Sequence, residues 1–108
     1  MTVVAFDIDD TLWKVEKTSD GRFRQVPDYD LIAVLRWFYN NGDTVYVWSA
    51  EGIDHAKMVV EKLGIDGMVT VTTKGEKGNA PHITFDDEDI LLGRVNIKVK
   101  RDRGKEEY

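Results

Sequence analysis

The chain has no cysteine among its 108 residues. That excludes disulfides, thiolate nucleophiles and cysteine-held zinc or iron–sulfur centres. Its sequence holds no apolar run near the roughly 20 residues that a membrane-spanning helix needs. Its N-terminus lacks the basic segment and apolar stretch of a secretory signal, so the expectation is a cytoplasmic protein with no membrane partner. Internal repeats and low-complexity segments are lacking too. Positive charge is in deficit, with 15 Lys and Arg against 20 Asp and Glu and a formal net charge of −5. This balance argues against a general nucleic-acid binder. One stretch runs the other way: Arg94, Lys98, Lys100, Arg101, Arg103 and Lys105 face only Asp102. Such a run reads as a solvated end, with a weak contact to a phosphate backbone as the sharper alternative. Residues 104–108 are expected to fray.

What is present fits one domain over residues 1–108, with 42% apolar and 32% charged residues, ordinary for a compact globular chain. Its organising stretch is Val3-Val4-Ala5-Phe6-Asp7-Ile8-Asp9-Asp10-Thr11-Leu12. The apolar run reads as a buried, parallel strand. Open parallel sheets bind ligands beyond the C-terminal ends of their strands, which puts Asp7 and Asp9 at the working edge. A lone Asp-x-Asp also suits a simple turn cap. An EF-hand loop starting at Asp7 fails, because Leu12 and Thr18 stand where Gly and Glu are required. Several carboxylates in one crevice need a positive partner, and oxygen-only ligands suit Mg²⁺.

Residues 13–26 lack a helical period and contain the turn signal Ser19-Asp20-Gly21. They read as a hairpin flap that either overhangs the site or lies idle on the surface. Pro27-Asp28 opens a helix that Gly42 closes. Its apolar face is Leu31, Val34, Leu35 and Phe38, widened by Ile32, Trp37 and Tyr39, with these aromatics assigned to the core. Thr44 to Trp48 is a second buried strand, stopped by the polar turn Ser49-Ala50-Glu51-Gly52. A second helix is predicted over 53–63, with Ala56, Val59, Val60 and Leu63 inward and Gly64 as its stop. Short strands follow at 68–72 and 83–85, separated by a loop over 74–81, and 95–99 reads as an edge strand. The pattern is α/β with a parallel sheet.

The strand ends then carry Asp7 and Asp9, Ser49, and Asp86 with Asp87, while Lys74 and Lys77 lie in the loop before the fourth strand. A carboxylate nucleophile, a second carboxylate, a hydroxyl, a cation and a metal site are the set that phosphoryl transfer needs. At these residues the chain resembles the haloacid dehalogenase superfamily of phosphohydrolases. Asp7-Ile8-Asp9-Asp10-Thr11 matches its first motif, Ser49 its second, Lys77 its third with Lys74 as the fallback, and Asp86-Asp87 its fourth. The chain looks most like small phage-type members.

The resemblance implies a three-layer Rossmann-like fold, minimal and capless, with only the hairpin flap over the site. It implies a Mg²⁺-dependent phosphomonoesterase working through an aspartyl-phosphate. In that scheme Asp7 is the nucleophile, Asp9 the general acid and base, and Thr11 a loop-fixing residue. Ser49, Ala50 and Lys77 bind the phosphoryl group. Asp7, Asp86, Asp87 (directly or through water) and the Asp9 carbonyl hold the metal. The presence of Asp9 argues against halide displacement. Neither interval between the motifs has room for a separate domain on the order of 50 residues. A capless site suits a monomer acting on a large phosphorylated partner, or a homodimer in which a neighbour completes the pocket. Alternatives are a nucleic-acid-end phosphatase or phosphotransferase, and a non-catalytic Mg²⁺- or phosphoryl-binding module. His55 is expected to be solvated, and His82, preceding the fourth strand, to lie near the site.

Overall fold

The computed structural model describes residues 1–75 and 80–100. The strands are β1 (Val3–Asp7), β2 (Trp13–Lys17), β3 (Phe23–Pro27), β4 (Thr44–Trp48), β5 (Thr70–Val71), β6 (Ile83–Asp86) and β7 (Val95–Lys98). The helices are α1 (Tyr29–Asn40) and α2 (Ile53–Leu63). Five strands form one sheet in the order β5-β4-β1-β6-β7, and every pairing is parallel. β1 is central, which explains its unbroken apolar run: both edges are paired, and from Val4 to Asp7 the strand is buried. The third strand is shorter than the sequence suggests, because only Thr70 and Val71 pair with β4. β7 is regular, pairing with β6 from Val95 to Lys98.

Alternation along β1 sorts the two faces of the sheet. Val4 and Phe6, with Val45, Val47 and Phe85, join one core cluster with Ile32 and Leu35 of α1 and Ala56, Val59 and Val60 of α2. Both helices therefore pack on one face. Phe6 and Phe85 stack there at 4.6 Å between ring centroids, and Phe38 of α1 meets Phe85 edge-on. The opposite face carries Ala5, Asp7, Trp48, Thr84 and Asp86, all buried. No helix covers it among the described residues, so the expected three layers are two plus loops. The Lys74–Gly75 and Leu92–Gly93 segments lie over this face. Gly93 is needed there: a Cβ on it would come within 3.0 Å of the Thr84 side chain and 3.3 Å of the Pro81 carbonyl oxygen.

The helix ends follow their sequence signals. Asp28 caps α1 by accepting the Leu31 backbone N–H at 3.0 Å. It also pairs with Lys14 of β2 at 3.2 Å, tying helix to hairpin. Gly64 ends α2 in the left-handed region at φ 72°. The apolar stripe of α1 is rotated from the expected one. Ile32 and Leu35 are buried, whereas Trp37, Tyr39 and Val34 are exposed, Trp37 at 61%. The stripe centres on Leu31, Ile32, Leu35 and Phe38. Trp37 falls two residues from Leu35, about 200° around the helix, and so faces water. Among the described residues no helix is long and apolar enough to cross a membrane. The expected frayed end at 104–108 and the basic residues Arg101, Arg103 and Lys105 lie outside the described residues.

The Asp28 cap gives a direct stability test. Asp28→Ala should cost about 1 kcal/mol, lowering Tm by roughly 4–8 °C for a domain of this size. Thermal denaturation followed by far-UV circular dichroism checks it, and an unchanged Tm would remove the cap from the energetics of α1.

Candidate active site

Register builds the site. Asp7 is level with Trp48 across β4, and Phe6 with Phe85 across β6, so Asp86 is level with Asp7 on the other side. Asp7 and Asp86 thus emerge side by side at the C-terminal edge of the sheet, on its helix-free face. The chain then turns sharply. The Ile8 carbonyl accepts N–H bonds from Thr11, Leu12 and Trp13, making one tight helical turn after the strand. Asp10 takes a left-handed φ of 62° within it, a conformation that Asp tolerates better than most residues. The turn brings Thr11 back under the site. Its hydroxyl lies 3.3 Å from Asp7 Oδ2 and 3.5 Å from Asp87 Oδ1. Thr11 is fully buried and reads as a strut for the carboxylates.

Asp7, Asp86 and Asp87 form a buried acidic triad able to hold a metal ion, one ligand oxygen of each lying within 4.8 Å of the others. In an octahedral Mg²⁺ shell with bonds near 2.1 Å, ligand oxygens stand roughly 3–4 Å apart, so the triad needs little contraction. Lys74 is the ammonium at this cluster among the described residues. Its Nζ lies 2.8 Å from Asp86 Oδ2 and 3.3 Å from Asp7 Oδ1. Asp86 Oδ2 is buried against the Lys74 ammonium. Asp86 Oδ1 accepts the Glu88 backbone N–H at 3.0 Å, which fixes the carboxylate plane.

The electrostatics turn on the buried Asp7 and Asp86 carboxylates and the Lys74 ammonium beside them. Burial first, then the charge of Asp86, push the Asp7 carboxyl up to about 7, with Lys74 opposing. Lys74 is pulled the other way: burial disfavours its charge, but the hydrogen bond to Asp86 and the charges of Asp7 and Asp86 outweigh that and raise its pKa. A divalent cation would resolve the same excess of negative charge without protonating Asp7.

Asp9 serves a second cluster. Its carboxylate is not part of the triad and turns instead toward α2. Oδ1 accepts from Trp13 Nε1 at 3.2 Å, and Oδ2 accepts from Ser49 Oγ at 3.1 Å. His55 Nε2 stands 3.0 Å from Oδ1 and 3.1 Å from Oδ2. Ser49, buried at the end of β4, also accepts the Glu51 backbone N–H at 3.0 Å. α2 starts directly after it at Gly52, with no side-chain cap on its first N–H groups. Ala50, exposed in this turn, sits between Ser49 and the helix start.

No family model, curated protein or solved structure matches the chain. What the site can do follows from its own geometry.

The structure brings together most of the residues singled out by sequence and corrects others. Asp7, Asp86 and Asp87 converge, and Asp9 meets Ser49. Lys77, the preferred lysine, lies outside the described residues; Lys74, the fallback, reaches the carboxylates. His82 is not at the site. The pairing of Val4 with Ile83 puts it level with Val3, at the far end of the sheet. There its Nδ1 accepts the Val3 N–H at 2.9 Å, closing the strand start. His55 was expected in solvent and instead packs on Asp9. Its sequence signal was position alone: the first turn of a helix that leaves a site loop faces back over that loop. The hairpin also touches the site, since Trp13 at its base holds Asp9.

Proposed function

We propose that the protein is a phosphohydrolase of the haloacid dehalogenase type, cleaving phosphomonoesters through an aspartyl-phosphate with Mg²⁺ as cofactor. The observation that carries the reading is the pairing of two differently set carboxylates. Asp7 lies in a metal-competent triad beside Lys74, and Asp9 lies next door in a polar, hydrogen-bonded, partly exposed pocket. Nucleophile and proton carrier need such separate environments.

Asp7 attacks phosphorus, and the bond from phosphorus to the ester oxygen breaks. Asp9 passes its proton to that departing oxygen. The Asp9 carboxylate then takes a proton from water as the water oxygen attacks the phosphoryl-Asp7. The bond from phosphorus to Asp7 breaks, its electron pair returns to the carboxylate, and inorganic phosphate is released. Lys74, Ser49 once released from Asp9, and the uncapped N–H groups at the start of α2 hold phosphoryl oxygens. Asp7, Asp86 and Asp87, with the Asp9 backbone carbonyl, would hold Mg²⁺, which when bound supplies charge neutralisation at the phosphoryl oxygens. The β2–β3 hairpin reaches the site through Trp13 on Asp9, and with no separate cap domain among the described residues the site suits a phosphate presented by a larger body, such as an oligonucleotide end or a protein side chain.

The test is hydrolysis of an aryl phosphate, then of phosphorylated metabolites, peptides and oligonucleotides, with and without Mg²⁺. Activity should require Mg²⁺ and vanish on chelation. Full turnover in excess chelator would overturn the reading, and a wide preference for a small metabolite would overturn its open-site part.

A further inference from the structure

Three side chains from three different elements converge on Asp9: Trp13 from the base of β2, Ser49 from the end of β4 and His55 from the first turn of α2. They are not equivalent. Trp13 reaches Oδ1 and Ser49 reaches Oδ2, whereas His55 Nε2 sits almost evenly between the two oxygens, at 3.0 and 3.1 Å. Ser49 is also the group assigned to a phosphoryl oxygen, so its hold on Asp9 is given up when substrate binds. His55 has no such second task. It is delivered from a helix anchored by the buried Ala56, Val59 and Val60, and its own side chain is 25% exposed.

We infer that His55 is a positioning residue for Asp9, fixing the carboxyl plane so that one oxygen faces the leaving oxygen; this rests on the phosphohydrolase reading above. The chemistry constrains the arrangement. An ionised carboxylate only accepts hydrogen bonds, so Nε2–H is the donor to it. When Asp9 carries its proton for the leaving group, its carbonyl oxygen still accepts from Nε2–H and the other oxygen keeps its proton for transfer. Without His55, and with Ser49 turned to the phosphate, the Asp9 carboxyl keeps the Trp13 Nε1–H bond on Oδ1, and this single off-axis bond lets it rotate away from the line of transfer. A misplacement on the order of 1 Å costs about 10²-fold. The loss falls on esters whose leaving oxygen needs a proton, since a good aryl leaving group departs without one.

The experiment compares kcat/KM for an alkyl phosphate and for an aryl phosphate with an acidic phenol, in wild type, His55→Ala, His55→Gln, Asp9→Asn and the double variant. His55→Ala should lose about 10²-fold on the alkyl ester and only a few-fold on the aryl ester. His55→Gln, whose amide N–H can donate to the same carboxyl, should recover most of the alkyl loss. In the Asp9→Asn background, His55→Ala should cost nothing further, as expected for groups acting as one unit. An equal loss on both esters, no recovery with Gln, or an additive loss in the double variant would each overturn the positioning role while leaving the phosphohydrolase intact. A wild type inert toward every ester would overturn both.

Discussion

Asp7→Asn should abolish turnover and leave a protein at least as stable as the wild type. An amide does not attack phosphorus, and removing the nucleophile of a covalent mechanism costs on the order of 10⁶ in kcat. The stability half follows from the burial of Asp7, which is 5% exposed, and from its carboxyl standing at about 7. At neutral pH the fold is already strained by that charge, and Asn removes it. Asp9→Asn behaves differently. It should slow turnover by about 10²–10⁴-fold while still allowing Asp7 to be phosphorylated by an aryl ester with a good leaving group. Steady-state assays, a chemical quench for the phosphoenzyme and a thermal melt check the pair. Wild-type turnover in Asp7→Asn would end the proposed mechanism, and a large drop in its Tm would mean that the loss is one of folding.

The sheet was legible because burial writes itself into composition. Val3 to Phe6 is apolar at every position since β1 has neighbours on both edges and cover on both faces. The helix ends were legible because caps are local: Asp28 and Gly64 satisfy backbone groups within a few residues of themselves. Asp7, Asp86 and Asp87 could be grouped because parallel strands end on one edge. Other features needed three dimensions. Two neighbouring stripes on α1 are both apolar, and packing against the core cluster of the sheet selects the one with Ile32 over the one with Trp37. His55 packs on Asp9 instead of standing in solvent, and His82 closes the start of β1 instead of standing near the site. His82 precedes β6 and so sits at the opposite end from Asp86. Spacing inside one loop does not separate Lys74 from Lys77, and the contacts of Lys74 with Asp7 and Asp86 became visible only in three dimensions. The third layer came from family resemblance rather than from any helical period between 72 and 82, and the second face is instead closed by loops around Gly75 and Gly93.

Lys74→Met should destabilise the metal-free protein steeply, and more so at alkaline than at acidic pH. Lys74 Nζ lies within 3.3 Å of Asp7 and 2.8 Å of Asp86, with a side chain only 18% exposed. Breaking a buried ion pair by removing one partner typically costs about 3–5 kcal/mol, enough to lower Tm by well over 10 °C in a domain of this size. The pH dependence has a definite sign. Asp7 is raised from 3.8 to about 7, so between these values the folded protein binds more protons than the unfolded chain. Its contribution to stability is therefore full at low pH and declines as pH rises through that window, by on the order of a few kcal/mol in the metal-free wild type. Lys74 opposes the decline, because its raised pKa keeps it charged throughout the window. Without it, Asp7 and Asp86 lose the ammonium between them and the decline becomes larger. Mg²⁺ should reverse both effects, since a cation bound only by the folded protein adds about 2.7 kcal/mol at one hundred times its Kd. Thermal melts of wild type and Lys74→Met at pH 5 and pH 8, each with Mg²⁺ and with chelator, give the comparison. Equal Tm values for the two proteins at pH 8 in chelator would show that Lys74 does not balance the triad. A Mg²⁺ response absent from both would show that the triad is not a metal site.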